Sequence, residues 1–181
     1  MSKRIIAKYL FVITASILIT WKSYVVVIGQ TPDKNFTVQI KTDDSKAAVA
    51  VVNQLFAEMA AANPEGILAV GRPDFQLVAI FKQKDGKSRI QVINGETFSK
   101  FFTDKTKILR ETMYAPKVEI NGDLAMVWGR YVFFDGEKLT HCGVDTFNLV
   151  RTENGWKLAN GASTIEPAGC TSKEKAMKAA K

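Results

Sequence analysis

The spacing of apolar residues predicts a helical first part of the chain. Between Ser45 and Asn63 apolar residues recur every three or four positions, which is typical of an amphipathic helix with one buried stripe. Asn63 and Pro64 end this helix and begin a short second one, because Asn is a good N-cap and proline suits the first helical position. A third helix is predicted over 95–105, where three phenylalanines share one face.

Alternating apolar and polar positions predict six β-strands before and after the third helix. Two short runs, 74–81 and 89–93, flank a polar turn and precede that helix. Four longer runs follow it, and their Asn-Gly and Asp-Gly links are strong hairpin signals. These four runs are 107–119, 124–134, 138–151 and 156–165. The order of elements predicts an α+β domain that ends in a four-stranded meander.

The first 29 residues have the organisation of a signal peptide. The basic stretch MSKRIIAK precedes the apolar stretch YLFVITASILIT, and Val27 and Gly29 suit the −3 and −1 positions of a cleavage site. An uncleaved membrane anchor is the alternative, but an anchor needs roughly 20 apolar residues. Lys8 and Lys22 enclose a shorter run. We therefore expect cleavage, an exported protein that is periplasmic or secreted, and no membrane association afterwards.

The net charge of +7 is concentrated at the two ends of the chain. In the body, basic residues alternate with acidic ones and form no stripe with interleaved aromatic residues, which argues against nucleic-acid binding. The chain is divided into a signal peptide (1–29), a polar lead-in (30–43), one folded domain (44–170) and a basic, flexible tail (171–181).

Several motifs of the domain resemble those of a known superfamily. The motifs are Asp123-Leu124-Ala125, HCGVDTFNLVR over 141–151, Gly155-Trp156-Lys157, Thr164 and Cys170. Together they resemble the NTF2-like (SnoaL-like) superfamily, and within it a group of exported bacterial proteins named for lumazine binding. The resemblance implies a strongly bent, mostly antiparallel sheet wrapped round three helices, forming a cone with a pocket at its open end. Isomerases, dehydratases, hydrolases and transport factors share this fold, so it does not determine function.

Two-residue turns at Asp135-Gly136 and Asn154-Gly155 define a predicted strand register. In this register Met126 faces Asp145, and Asp145 faces Thr164. Because side chains alternate along a strand, one face holds most of the large apolar residues, and we assign it to the concave, helix-facing side. A slip of one residue would reverse the assignment. The predicted ligand-binding residues on this face are Trp128, Arg130, His141, Asp145, Asn160 and Thr164.

His141 and Asp145 are the candidate catalytic residues. His141 cannot activate its neighbour Cys142, since adjacent strand residues point to opposite faces. A metal site is not expected, because one histidine and two cysteines are too few ligands, and no cofactor is expected. Apolar surroundings would raise the pKa of Asp145 into the range useful for acid–base chemistry. The alternative is a structural Asp145 held by Thr164 and by backbone amides.

The two cysteines, Cys142 and Cys170, are predicted to form a disulfide. The register places residue 167 opposite Cys142 on the convex face, and Pro167 and Gly169 allow the chain to turn back towards it. Two cysteines that are close together in an exported chain more often pair than stay free.

Three functions of different classes stay open. The first is an exported protein that binds a small cyclic or aromatic molecule in the pocket. The second is an acid–base enzyme, namely an isomerase, dehydratase or hydrolase, that uses Asp145. The third is a dimeric interaction module without a ligand. We expect a homodimer through the convex face, where the predicted register places Val127, Tyr131, Phe133, Val144 and Thr146.

Overall fold

The computed structural model describes residues 42–83 and 85–179. The predicted signal peptide and nearly all of the lead-in lie outside these residues, so both stay predictions. The helices in the described part are α1 (Thr42–Ala60), α2 (Pro64–Val70), α3 (Gly95–Ser99) and α4 (Ser172–Lys175). The strands are β1 (Gly71–Lys82), β2 (Ser88–Asn94), β3 (Leu109–Asn121), β4 (Leu124–Asp135), β5 (Lys138–Thr152) and β6 (Gly155–Ile165). The predicted α+β class is confirmed.

The helices of the first half form for the reasons that the sequence indicates. The apolar stripe of α1, which includes Leu55 and Met59, is buried. The Asn63 side chain accepts a hydrogen bond from the Gly66 amide at 3.2 Å, and Pro64 is the first residue of α2. The third helix is shorter than predicted, because α3 continues only as a 3₁₀ turn to Phe102. The Asp104 side chain then accepts the Thr106 amide, which favours a turn over a helix.

One six-stranded sheet has the order β2-β1-β6-β5-β4-β3, in which only β1 and β6 are parallel. Helix α1 packs on β3, β4 and β6, and this defines the concave face of the sheet. Buried residues of the first two helices and of this face form the main core; they include Val52, Leu55, Phe56, Ile67, Phe75, Val127, Phe147, Leu149, Trp156 and Leu158.

The predicted register of β4 against β5 is wrong, and the error reverses the faces of β4. Gly136 (φ 61°) is the first of two turn residues, so Asp135 pairs with Lys138. This placement of glycine is typical of a type II′ turn. An irregularity at Thr140 then shifts the pairing again, and Gly129 lies opposite Asp145 in place of Met126. Because the total shift is an odd number of residues, every β4 side chain changes face.

The predicted register of β5 against β6 is also wrong by one residue near Asp145. Thr152 pairs with Gly155. Gly155 directly follows a two-residue turn and has a φ of 88°, which is the glycine position of a G1 bulge. A second irregularity at Ala159 shifts the pairing, so that Asp145 lies opposite Ser163 rather than Thr164. Trp156 and Leu158 stay in the concave core as predicted.

The chain after β6 folds back over the convex face. Glu166 pairs with Cys142, and Cys142 and Cys170 form the predicted disulfide, with 5.3 Å between their Cα atoms. Helix α4 begins with a capping box between Thr171 and Glu174. We call residues 166–179 the C-terminal latch. Its residues 171–179 belong to the predicted basic, flexible tail; Glu174 is buried there while most of the other side chains are exposed. The flexibility of the tail stays a prediction.

Glu174 is the buried centre of the latch. Its carboxylate accepts hydrogen bonds from Arg130 Nε at 2.5 Å, from Arg130 Nη2 at 3.2 Å and from the Tyr114 hydroxyl. Burial alone would raise the pKa of Glu174, but the donors from Arg130, Tyr114 and Thr171 together hold it at about 2. A small apolar cluster surrounds the disulfide beside this pair, and it comprises Val132, Phe134, Cys142 and Cys170 with Leu139 and Met177.

Candidate functional site

A group of polar side chains interrupts the apolar concave face across the neighbouring strands β3, β4, β5 and β6. The pairings Glu111–Phe133 and Phe133–His141 place one row across β3, β4 and β5. The pairings Gly129–Asp145 and Asp145–Ser163 place a second row beside it. Since residues paired in this way share a face, the concave face carries Glu111, Tyr131, His141, Asp145 and Ser163.

Asp145 is the most unusual member of this group. It is fully buried, and neither carboxyl oxygen has a hydrogen-bond partner among the described residues. Ser163 and Glu111 are its polar neighbours, but neither meets hydrogen-bond geometry with it. Burial raises the pKa of Asp145 to about 6, and these polar neighbours only partly oppose the increase. Buried polar atoms are normally paired, so the unpaired carboxyl makes Asp145 the leading candidate for a functional residue in the described structure.

Glu111 is the second carboxyl of the site and was missed in the sequence prediction. Burial, and then the charge of Asp145, raise the pKa of Glu111 well above its usual value. Two carboxyls this close do not both ionise easily, so the pair retains a proton near neutral pH. The alternation Leu109, Glu111, Met113 places an acid at an inward position of β3, which is the signal that could have identified it.

Tyr131 and His141 complete the wall beside the carboxyl pair. The Tyr131 hydroxyl donates a hydrogen bond to the Thr164 carbonyl at 2.8 Å, and burial followed by the nearby carboxylates raises its pKa. The His141 ring stacks on Phe133 with 4.8 Å between ring centroids. Burial lowers the pKa of His141 to about 4, so the imidazole is neutral at pH 7. Neither side chain therefore supplies a positive charge.

The structure places two of the six predicted ligand-binding residues, His141 and Asp145, on the concave face. The shared face predicted for the other four is wrong. Trp128 is 38% exposed on the convex face, and Arg130 pairs with Glu174 there. The bulges of the two hairpins, which add one residue to one strand only, cause these displacements.

Asn160 and Thr164 lie outside the group because of the β5–β6 shift. Asn160 is exposed, and its side-chain Oδ1 accepts a hydrogen bond from the side-chain Nδ2 of Asn148 at 2.7 Å. The Thr164 hydroxyl accepts the Val144 backbone amide at 2.9 Å, so it does not bond to Asp145. The alternative in which Thr164 and backbone amides hold Asp145 in a structural role is therefore wrong.

A cavity of about 520 Å³ lies between α1 and β3 and reaches Glu111. Small side chains on α1 leave this space open, while Phe56 and Met113 provide apolar walls. Its full lining is Asn53, Phe56, Ala57, Ala60, Ala61, Arg110, Glu111, Thr112 and Met113. The volume is within the range of small-molecule sites. Asp145 is not part of this lining; it is fully buried next to Glu111 on the same concave face.

A second cavity, of about 750 Å³, borders Lys82, Gln83 and residues 166–169. Its lining is exposed except for the half-buried Glu166, and we assign no site to it. In the described part of the chain no three potential metal ligands come together. The carboxyl pair by itself offers only two side chains.

Comparison with solved structures identifies the fold of this chain. An NTF2-like protein with a cystatin-like fold from Novosphingobium aromaticivorans is 11% identical, with a TM-score of 0.57 over 74% of this chain and 88% of that one. An NTF2-like protein of unknown function from Shewanella baltica is 14% identical, with a TM-score of 0.53 over 70% and 96%. An NTF2-like superfamily protein from Salmonella enterica is 10% identical, with a TM-score of 0.55 over 72% and 96%.

The chain therefore has the α+β NTF2-like cone fold, and the resemblance seen in the sequence is confirmed at that level. At these identities the similarity shows the fold alone. No family model and no curated protein matches the sequence. Membership of the group named for lumazine binding stays a prediction. No helix of residues 42–83 and 85–179 is long and apolar enough to span a membrane.

Proposed function

We propose that this protein binds a small cyclic or aromatic molecule in the cavity between α1 and β3, with Glu111, the member of the Glu111–Asp145 pair that lines the cavity, as its main polar contact. The observation that carries the proposal is the buried Asp145 carboxyl without a hydrogen-bond partner in the described structure. Leaving such a group unpaired costs about 1–3 kcal/mol or more. A bound molecule that donates hydrogen bonds to the pair would offset this cost, and Phe56 and Met113 would contact its ring.

Filling the cavity tests the proposal directly. Ala57 lies on the cavity wall and is exposed, so Ala57→Trp should block the cavity without disturbing the core. Ala50→Trp is the matched control, because Ala50 is an exposed alanine on the same helix outside the cavity. Native mass spectrometry of the purified proteins should show a retained molecule in the wild type and in Ala50→Trp but none in Ala57→Trp. Equal retention in both variants would contradict the proposed site.

An acid–base enzyme is the second candidate, and the carboxyl pair specifically favours it. A carboxyl with a pKa of about 6 beside a protonated neighbour can both accept and donate a proton near neutral pH. Incubating the retained molecule with the protein in heavy water should then exchange one of its C–H protons, as followed by NMR. The exchange should stop in Asp145→Asn, and exchange at the same rate in that variant would exclude Asp145 as the base.

Export is also part of the proposal. The signal-peptide pattern of residues 1–29 supports cleavage before Gln30. The Cys142–Cys170 disulfide fits a compartment in which disulfides persist. Intact mass of the protein recovered from the periplasm or the medium should correspond to a chain that begins at Gln30. A membrane fraction that retains residues 1–29 would support the anchor alternative.

A homodimer through the convex face is proposed on a corrected set of residues. Val127 and Tyr131 belong to the concave side, and so does Phe133. Convex residues form an apolar row across five strands through the pairings Val92–Val78, Val78–Ala162, Ala162–Thr146 and Thr146–Trp128. Val92 and Trp128 are exposed, at 59% and 38%. Val92→Lys should convert a dimer into a monomer in analytical ultracentrifugation, and a wild type that is monomeric at high concentration would exclude the dimer.

A further inference from the structure

The carboxyl pair is rich in hydrogen-bond acceptors and poor in donors. An ionised carboxylate only accepts hydrogen bonds, and both oxygens of Asp145 lack a donor within the described residues. The hydroxyl of Tyr131 already donates to the Thr164 carbonyl. The backbone amide of Val144, next to Asp145, donates to the Thr164 hydroxyl. Among the described residues no donor therefore reaches either oxygen of Asp145, and an occupant of the site could supply one.

The described structure also contains no cation that pairs with either carboxyl. None of its ion pairs includes Glu111 or Asp145. His141 on β5 is neutral, and Tyr131 on β4 is an uncharged phenol. Glu166, beyond the end of β6, adds a negative charge rather than a positive one.

Two arginines, Arg110 and Arg130, lie on strands that carry site residues, but neither pairs with the carboxyls. Arg130 is engaged by Glu174 on the convex face. Arg110 borders the cavity, but it pairs with Phe134 of the convex cluster, so its side chain leaves β3 on the other face from Glu111. From α1, only the uncharged Asn53 adds a polar group to the cavity lining. The negative charge of the pair therefore has no compensation from the described protein groups.

We propose that the ligand carries a protonated nitrogen group, of the amine or amidine class, that donates hydrogen bonds to Glu111 at the cavity wall and balances the negative charge of the Glu111–Asp145 pair. This inference rests on the proposed binding function and specifies its ligand class. A neutral ring with N–H donors would satisfy the oxygens but leave a buried charge unbalanced, whereas a cation does both. An anion would add a second negative charge to a pair that already carries one near neutral pH. The apolar part of the ligand would contact Phe56 and Met113.

The test uses three probes of nearly identical shape: benzamidine (cation), benzamide (neutral) and benzoate (anion). Isothermal titration of the full exported protein near pH 7.5 should show benzamidine binding at least tenfold more tightly than benzamide, with no binding of benzoate. Benzamidine binding should weaken as the pH falls through about 6, because Asp145 then becomes protonated while the amidinium stays charged. Asp145→Asn should remove at least tenfold of the affinity, as should Glu111→Gln.

Asp135→Asn is the control, since Asp135 is an exposed carboxylate at the end of β4; it should leave the affinity unchanged. Equal or tighter binding of benzamide, unchanged affinity in Asp145→Asn, or no binding of benzamidine at millimolar concentration would each overturn the cation inference. The proposed function would survive these outcomes if Ala57→Trp still abolished retention of a molecule or binding of benzamide. Loss of that effect as well would overturn both proposals.

Discussion

Replacing Asp145 with Asn should make the protein more stable at neutral pH, which is the opposite of what a structural aspartate would show. The folded-state pKa of Asp145 is about 6, against 3.8 for the free side chain. At about 1.36 kcal/mol for each pH unit, the ionised carboxyl costs the folded state about 3 kcal/mol. The cause is burial without a donor, and the neutral amide of Asn carries no such charge.

The sign of the pH dependence follows from the raised pKa. Below about pH 3.8 Asp145 is protonated in both folded and unfolded protein, so it contributes no penalty. As the pH rises from about 3.8 to about 6, the unfolded chain loses the proton of Asp145 while the folded protein still holds it, so stability falls; above about 6 both states are ionised and the loss is complete. The wild type should thus lose up to about 3 kcal/mol over this interval relative to Asp145→Asn.

Urea unfolding with the disulfide intact, at a series of pH values from about 4 to 8, measures this difference. The two proteins should differ in the slope of unfolding free energy against pH, whatever their stabilities at the acid end. Asp135→Asn should follow the wild type, because Asp135 is exposed. An Asp145→Asn variant that is less stable at every pH, with a curve parallel to the wild type, would show that Asp145 has donors in the folded protein. That result would refute both the argument and the proposed site.

Two further predictions concern the C-terminal latch. Replacing Cys142 and Cys170 with Ala should lower the unfolding free energy by about 3–4 kcal/mol, from the loop-closure entropy of a separation of 28 residues. Thiol titration of denatured, unreduced protein should find no free thiol, and two per chain would contradict the bridge. Glu174→Gln should cost about 2–4 kcal/mol because it leaves Arg130 without its buried partner. Because its pKa is depressed to about 2, the Glu174 contribution is complete above about pH 4.5 and is lost as the pH falls towards 2. Glu137 is at an exposed turn position, so Glu137→Gln should change neither the unfolding free energy nor its pH dependence. A Glu174→Gln variant as stable as the wild type at pH 7 would refute the role of the Arg130–Glu174 pair.

The order and type of the elements could be predicted because each depends on a local pattern. The stripe of α1, the Asn63 cap and the alternation along β3–β6 are all visible within windows of a few residues. The assignment of side chains to the concave and convex faces could not be predicted. It depends on which position of each turn the glycine occupies and on bulges at Thr140 and Ala159. A bulge adds one residue to one strand and leaves the alternation on either side intact, so no hydrophobic pattern reports it.

The residues of the site divide in the same way between those that depend on one strand and those that depend on strand pairing. Asp145 and His141 share a strand, so their common face follows from β5 alone and needs no register. Glu111 is on β3, whose pairing with β4 had to be known before the two carboxyls could be placed together. For the latch, the lysine-rich composition of the tail concealed a local signal. Thr171 and Glu174 have the spacing of a capping box, which is a helix start even in a polar segment.

The C-terminal latch has a consequence for the rate at which the protein unfolds. Its contacts join Glu174 to Tyr114 and Arg130, 60 and 44 residues earlier in the chain, and they can form only after β3 and β4 have paired. We therefore expect them to be absent from the folding transition state, with φ-values near zero. Interactions of this kind leave the folding rate unchanged and slow unfolding by their full free energy. The latch would then extend the lifetime of the folded state, and a long lifetime of that state limits the cleavage of unfolded chains by proteases.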